Sequence, residues 1–184
     1  DDFLTEEEFI SINGLLETNI WKLDRIGRVE GARGPEWEKG DNRTFASANH
    51  LEEHDEIKRI IPKVEDVINN YFPGQVIGRI YAVQQSRGQS TSLHKDWYDE
   101  KHKSSVIICL HKKWDPEWAG FTTFWIGEGN EPEIIKAVYP KPNRAMIFDA
   151  SILHGAVAPD LIATISRRVL VFQCIETAEL CKYV

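Results

Sequence analysis

The sequence predicts a mainly β fold with flanking helices (α+β), a double-stranded β-helix of the jelly-roll kind buttressed by N-terminal helices. Three observations carry that prediction. Helical periodicity is confined to roughly the first 74 residues. Beyond them the apolar residues fall in short runs rich in β-branched and aromatic side chains. Turn residues separate those runs at the spacing of a sandwich or barrel.

Taken in order, Thr5-Glu6-Glu7-Glu8 has the form of a capping box, in which a hydroxyl and a Glu three residues on satisfy each other's backbone N–H groups. Phe9, Ile12, Leu15 and Leu16 follow as a helical stripe. A second helical stretch runs from about Leu51 to Tyr71, with Ile57, Ile60, Ile61, Val64, Val67 and Ile68 on its apolar side. Pro62 should kink or restart it, and Phe72-Pro73-Gly74 ends it. The expected strands are Val76–Val83, Val106–Leu110, Phe121–Ile126, Ile134–Tyr139, Ala145–Phe148 and Arg167–Cys174. Arg87-Gly88, Asp115-Pro116, Gly127-Glu128-Gly129-Asn130 and Pro140-Lys141-Pro142-Asn143 lie between them.

Length and composition hold this to a single domain over 1–184, with helical support over about 1–74 and a β core over about 75–175. Lys and Arg number 22 against 29 Asp and Glu, and the formal charge of −7 argues against a sequence-independent grip on nucleic acid. No run approaches the ~18 apolar residues that cross a bilayer, so no membrane partner is expected. Cys109, Cys174 and Cys181 are odd in number and lack C-x-x-C spacing, against both a disulfide framework and a zinc ribbon. The opening Asp1-Asp2-Phe3-Leu4 has neither the basic nor the apolar region of a secretory signal, and a reducing, cytoplasmic setting is the expectation. With no initiator Met, an upstream targeting segment stays open, and nothing sets an oligomeric state.

The chemistry concentrates in Leu93-His94-Lys95-Asp96-Trp97. In an extended segment positions i and i+2 share a face, so His94 and Asp96 converge while Lys95 points away. His154 lies 60 residues later, just after the apolar strand Met146-Ile147-Phe148. Antiparallel folding brings it back beside the first pair, which makes two imidazoles and one carboxylate on one face of a metal. Such a facial triad suits Fe(II) and leaves coordination positions open. Alone, His94-x-Asp96 is as common in structural roles; its surroundings raise it above them.

Open positions call for an anchored co-substrate. A 2-oxo dicarboxylate would chelate iron through its keto-acid end and leave a distal carboxylate in an apolar pocket, where it needs a fixed cation. Arginine suits this, being planar, bidentate and permanently charged. Arg167-Arg168-Val169-Leu170-Val171-Phe172 supplies two candidates. Alternation places Arg167, Val169, Val171 and Gln173 on one face and Arg168, Leu170, Phe172 and Cys174 on the other. The larger apolar face is the one suited to helices, which points Arg167 into the barrel and keeps Arg168 as the alternative.

From roughly Ile77 to Cys174 the chain resembles the 2-oxoglutarate/Fe(II)-dependent dioxygenases, in particular their prolyl-4-hydroxylase-like branch. The order of motifs carries the likeness: His94-x-Asp96; a strand ending Cys109-Leu110-His111-Lys112-Lys113-Trp114; Ala119-Gly120; Pro140-Lys141-Pro142-Asn143-Arg144 before Met146-Ile147-Phe148-Asp149; His154; and the terminal Arg strand. Arg167 to Phe172 matches the family's R-x-S-L-x-F register with Val for Ser. The family's usual Gly-Gly is Ala119-Gly120 here, and the His154-to-Arg167 gap is longer than its commonest pattern.

The resemblance implies a double-stranded β-helix and a hydroxylase in which His94, Asp96 and His154 hold Fe(II). It implies 2-oxoglutarate on Arg167, with oxygen as the other co-substrate and oxidative decarboxylation to succinate and CO2; ascorbate is admissible as an accessory. Tyr81, on the strand before His94, is by position a co-substrate tyrosine or else core. Trp97, beside Asp96, is the candidate for substrate contact. Trp97, Tyr98, Trp114, Trp118 and Trp125 read as clustering near the mouth, and the polar loop Gln84–Ser92 reads as mobile and able to close over substrate. The branch suggests a peptidyl proline as substrate. A free amino acid or small metabolite is the alternative, and a non-enzymatic jelly-roll binding module is the rival from another class. His50 and His54 sit on one helix face, His102 in a charged loop and His111 at a strand end, none with an assigned chemical role.

Overall fold

The structure, a computed structural model, describes residues 1–24, 45–96, 102–127 and 133–177. Helix α1 (Glu6–Leu16) begins at the expected capping box: the Glu8 amide donates to Thr5 Oγ1 (3.2 Å) and the Thr5 amide to Glu8 Oε2 (2.8 Å). The second helical stretch is three pieces: a 3₁₀ turn at Leu51–Glu53, α2 (Asp55–Lys58) and α3 (Ile61–Tyr71). Pro62 falls in the first turn of α3, where a missing N–H leaves no intrahelical bond unmade, so the proline restarts the helix rather than kinking it.

The strands are β1 (Lys22–Asp24), β2 (Phe45–Asn49), β3 (Gln75–Gln85), β4 (His102–Cys109), β5 (Thr122–Ile126), β6 (Glu133–Val138), β7 (Ala145–Asp149), β8 (Leu153–Ala156) and β9 (Arg167–Glu176). Among the described residues they form a six-stranded sheet, ordered β1-β2-β3-β9-β4-β7, and a three-stranded sheet, ordered β6-β5-β8. Every named pairing is antiparallel. This is the mainly β, helix-flanked jelly roll that the spacing of the apolar runs predicts. Strands β1, β2 and β8 were not predicted; β8 reads Leu-His-Gly-Ala, too short and too poor in β-branched residues to announce itself.

The larger sheet has an apolar layer on each side, as the alternation along β9 requires. Leu170, Phe172 and Cys174 face outward with Ile80, Ala82, Val106 and Ile108, against Ile12 and Leu16 of α1, Ile57 of α2, Ile60, and Val64 and Ile68 of α3. Each such buried aliphatic contributes about 1.5–3 kcal/mol. Val169 and Val171 face inward with Tyr81, Val83, Ile107 and Cys109, and meet Phe124 of β5 and Phe148 of β7. The chemistry lies on this second side.

The segment after β3 is hydrogen-bonded to the strand and loop that carry His154. Gly88 donates to the Pro159 carbonyl (3.0 Å), Thr91 to the Ala156 carbonyl (3.0 Å), and Arg87 Nη1 to the Leu161 carbonyl (3.2 Å). These bonds tie 87–91 to the end of β8 and the chain after it, while residues 86–88 stay exposed.

Candidate active site

His94 and His154 are brought together by backbone pairing. Each donates its amide to the other's carbonyl at 2.9 Å, a single antiparallel bridge that extends the smaller sheet beyond β8. Directly opposed residues share a face, and the two imidazole centroids are 4.4 Å apart. Gly155 permits this approach: a Cβ there would meet the Ser92 carbonyl and the Leu93 side chain at 3.2 Å. Asp96, two residues beyond His94, adds its carboxylate on the same side, with Oδ1 3.6 Å from His94 Nε2 and Oδ2 3.7 Å from His154 Nε2. Donor atoms of the three residues all lie within 4.8 Å of one another. The three residues singled out by sequence spacing therefore converge.

Their hydrogen bonds suit a metal. His94 Nδ1 lies 2.8 Å from the Ser92 carbonyl, and His154 Nδ1 2.9 Å from that of Ile152. A carbonyl only accepts, so each Nδ1 carries the proton and each Nε2 keeps a lone pair facing Asp96. Burial pushes the His154 pKa down to about 4; the His94 charge adds to this, while Asp96 and the Ile152 carbonyl oppose it. His154 is thus a neutral imidazole at physiological pH, as ligation requires. Ser105 of β4 donates its hydroxyl to Asp96 Oδ2 at 2.5 Å, holding the carboxylate from behind. Phe148 meets the His154 ring edge-on at 4.7 Å, so one flank of the cluster is dry. Two imidazoles and a carboxylate, each oriented by an outer hydrogen bond, are a donor set that fits Fe(II).

Arg167 is 2% exposed, at the start of β9 and on the inner face. Its Nε donates to the Gly120 carbonyl (2.9 Å), Nη1 to Gln85 Oε1 (2.6 Å) and Nη2 to Thr122 Oγ1 (2.8 Å). All three acceptors are neutral, and among the described residues no carboxylate pairs with this guanidinium. Burial lowers its pKa from the usual arginine value, with the neighbouring Cys109 opposing. A guanidinium has five N–H donors, so the three bonds hold it in place and leave capacity for an incoming carboxylate. Strand β5 links it to the triad: Phe124 pairs with His154, and Thr122, two residues away on the same face, accepts from Arg167. Two residues of strand measure about 7 Å.

Arg168 points the other way. Its Nε donates to Gln84 Oε1 (2.7 Å) and its Nη1 pairs with Glu17 at 2.7 Å, which fastens β9 to the end of α1. Its guanidinium is committed on the helix side of the sheet. Tyr81 lies on the inner face, 8% exposed, with the Arg79 guanidinium 4.5 Å above its ring. Trp97 and Tyr98 lie outside the described residues. The expected aromatic cluster at the mouth is divided: Trp114, with Trp118 at 5.5 Å, sits at the Arg167 end. There Gly120 has φ +73°, and an added Cβ would stand 2.8 Å from the Trp114 ring and 3.4 Å from Arg167 Cδ. His111 is buried against Trp114, ring centroids 4.5 Å apart, and its Nε2–H donates to the Pro140 carbonyl at 2.5 Å.

Gln85, Thr122 and Ser105 support the site and were not singled out in the sequence, whereas Gly120 was, as part of Ala119-Gly120. Counting by twos inward from Tyr81 reaches Val83 and then Gln85, and from Cys109 back reaches Ile107 and Ser105. A polar residue ending an otherwise apolar inward row was the available signal.

No family model matches the chain, and no curated protein matches its sequence. Solved structures do match its fold. A prolyl hydroxylase in complex with a hypoxia inducible factor oxygen degradation domain peptide fragment, from Trichoplax adhaerens, superposes with a TM-score of 0.68 at 14% identity, over 100% of this chain and 85% of that one. A Pseudomonas putida prolyl-4-hydroxylase gives 0.66 at 13% identity, covering 95% of this chain and 89% of that chain. The viral collagen prolyl hydroxylase of Paramecium Bursaria Chlorella virus-1, solved as a 2-oxoglutarate complex, gives 0.61 at 13% identity, covering 96% and 94%.

Proposed function

We propose that this protein is an Fe(II)- and 2-oxoglutarate-dependent oxygenase that hydroxylates its substrate. One observation carries the reading: a buried guanidinium with no carboxylate partner among the described residues shares an inner wall with a His-Asp-His cluster, Arg167 being held by Thr122, two residues along β5 from the Phe124 that pairs with His154. The fold shared with prolyl hydroxylases supports the same reading.

In this assignment His94, Asp96 and His154 hold the metal, and Arg167 takes the distal carboxylate of 2-oxoglutarate. When bound, the iron supplies the oxidising chemistry: one oxygen atom of O2 enters succinate as CO2 leaves, and the other becomes the new hydroxyl. The chain's own contribution is positional. The Ser92 and Ile152 carbonyls fix the tautomers that keep both Nε2 lone pairs free. Ser105 stops the Asp96 carboxylate from rotating. Gln85, Thr122 and the Gly120 carbonyl aim the guanidinium, leaving little reorganisation when the anion arrives. Val169, Val171, Phe124 and Phe148 line the space between the two ends and exclude water, which strengthens both sets of polar contacts. Tyr81, on the same face, is positioned to border the co-substrate, and a peptidyl proline is the first substrate to test.

The decisive experiment is anaerobic addition of Fe(II) and 2-oxoglutarate, with the visible charge-transfer band as readout, followed by succinate release in air. A band that needs His94, Asp96 and His154, with succinate formed without any prime substrate, is the expected result. Persistence of the band in His94→Ala and Asp96→Ala overturns the ligand assignment. Absence of both signals in the wild-type protein leaves a non-enzymatic jelly-roll binding module.

A further inference from the structure

The larger sheet carries a second cation on its inner face, at the opposite end of β3 from Gln85. A one-residue irregularity between Ile77 and Arg79 resets the alternation, so Arg79 stands opposite Gln173 of β9, and Gln173 stands opposite Ser105 of β4. Directly opposed residues share a face, so Ser105, Gln173 and Arg79 form one row across three strands. Its first member donates to the metal-cluster residue Asp96, and its last is a guanidinium. Two strand spacings, about 10 Å between α-carbons, separate the ends of the row.

Arg79 is exposed yet oriented. Its Nη2 donates to Asn49 Oδ1 at 2.8 Å, and its guanidinium lies 4.5 Å from the centre of the Tyr81 ring. Beside it opens a cavity of about 560 Å³, bordered by Lys22, Asn49, His50, Glu52 and Arg79. That border holds two cations, Lys22 and Arg79, neither with a carboxylate partner among the described residues, against one carboxylate, Glu52, which lies 3.5 Å from His50 Nδ1. On a chain of net charge −7, a recess whose described border carries an excess of positive charge favours anions.

We infer that the substrate of the proposed oxygenase carries a carboxylate, and that Arg79 binds it, with the cavity beside Lys22 receiving the rest of the anionic end. This rests on the oxygenase reading and deepens it. The reacting carbon lies at the His94–Asp96–His154 cluster, and the carboxylate, spaced from it by the Ser105–Gln173–Arg79 row, is either a free acid or an acidic side chain of a peptide. Arg79 acts by binding and takes no part in the oxidation.

The test uses the full chain loaded with Fe(II) and 2-oxoglutarate. Succinate release is measured with the twenty N-acetyl amino acids and their amides, and with paired Ac-Xaa-Glu and Ac-Xaa-Gln peptide amides. Stimulation by the acid of at least one pair, with kcat/KM at least tenfold above its neutral partner, is expected. In Arg79→Gln the preference falls to near unity through KM rather than kcat, and Arg79→Lys restores part of it. The arm that responds, free acid or Glu peptide, identifies the source of the carboxylate. Equal stimulation by acids and neutral partners, no stimulation by any acid, or an undiminished preference in Arg79→Gln overturns the inference. Succinate formed without any probe reports on the oxygenase reading separately: its presence with no acid preference removes only the carboxylate assignment, and its absence removes both.

Discussion

Replacing Arg167 by Met is the sharpest test of the proposed contact between Arg167 and 2-oxoglutarate. The change removes a 2%-exposed guanidinium and leaves the Gly120 carbonyl, Gln85 Oε1 and Thr122 Oγ1 without their donor. Each unsatisfied acceptor costs about 1–3 kcal/mol, but the variant also escapes the desolvation of a charge that has no counter-ion, so the two effects on the unliganded protein oppose one another. Binding has no such offset. Truncating one partner of a buried, hydrogen-bonded charge pair costs about 2–5 kcal/mol, so 2-oxoglutarate should bind roughly 30- to 5,000-fold more weakly. 2-Oxobutyrate has the same keto-acid end and no distal carboxylate, so its affinity should be nearly the same for wild type and variant. Titrating both ligands against both proteins, by the visible band or by calorimetry under anaerobic Fe(II), completes the cycle. A loss of equal size for the two ligands would mean that Arg167 supports the fold rather than reads the carboxylate, and the assignment would be refuted.

Three further outcomes follow from the same coordinates. Ser105→Ala removes the hydroxyl that holds Asp96 Oδ2 and should weaken metal binding 10- to 100-fold, read by Fe(II) titration; an unchanged affinity would deny the hydroxyl its orienting role. Ala119 sits at φ +53°, ψ −126°, a conformation natural to glycine, so Ala119→Gly should relieve strain and stabilise the protein by about 1 kcal/mol in urea unfolding, and destabilisation would contradict it. Burial pushes the His111 pKa down to about 4, with its Pro140 hydrogen bond opposing and the Arg167 charge adding to the fall. The unfolded chain then binds a proton near pH 6.5 that the native state refuses, so this residue's stabilising contribution is full above that pH and is lost on acidification toward about pH 4. The loss amounts to about 3 kcal/mol, and His111→Phe should flatten the stability profile by that much over this window; an identical profile in the variant would refute the account.

The elements that were legible in the sequence are those whose burial is local and periodic. Strands β3, β4, β5, β7 and β9 announce themselves because one or both faces must be apolar, and α1 because Thr5 and Glu8 solve their own capping problem within four residues; β6 was legible from its β-branched residues alone, since Ile134 and Ile135 are exposed. His94 and Asp96 were legible for the same reason, since the two-residue repeat of an extended chain puts them on one face. His154 and Arg167 needed the motif order as well, and the alternation along β9 separated Arg167 from Arg168 correctly by burial. What stayed hidden was register. Gln85 meets Arg167 across 82 positions, and Thr122 meets it across 45, with no local pattern to mark either contact. The bulge at Gly78 was equally silent: it puts Ile77 on the helix side, while Arg79 shares the inner face with Tyr81. The loop 84–92 reads as polar in sequence, and the long-range bonds of Gly88 to Pro159 and Thr91 to Ala156 have no local pattern to mark them.

The inner wall of the barrel holds a carboxylate at one end and a guanidinium at the other, about 7 Å of strand apart, with valines and phenylalanines between them. Two opposite charges placed so could have been paired with each other, which would have satisfied both at once. Instead, among the described residues, Asp96 faces two imidazoles and the Ser105 hydroxyl, Arg167 faces three neutral acceptors, and neither meets a permanent opposite charge. That separation is stable only if something else completes it. A divalent metal leaves one positive charge in excess at the Asp96 end, and a dianionic 2-oxo acid presents one carboxylate to the metal and one to Arg167. The four charges then cancel across the site, and neither partner suffices by itself: the metal alone leaves the guanidinium unpaired, and the diacid alone sets a carboxylate against Asp96. Binding should therefore be mutually dependent, with the affinity for 2-oxoglutarate rising at least tenfold when the metal is present and the affinity for metal rising by the same factor when 2-oxoglutarate is present, as linkage requires. Titrating each in the presence and absence of the other measures that factor, and independent binding of the two would remove the electrostatic basis for placing them along one inner wall.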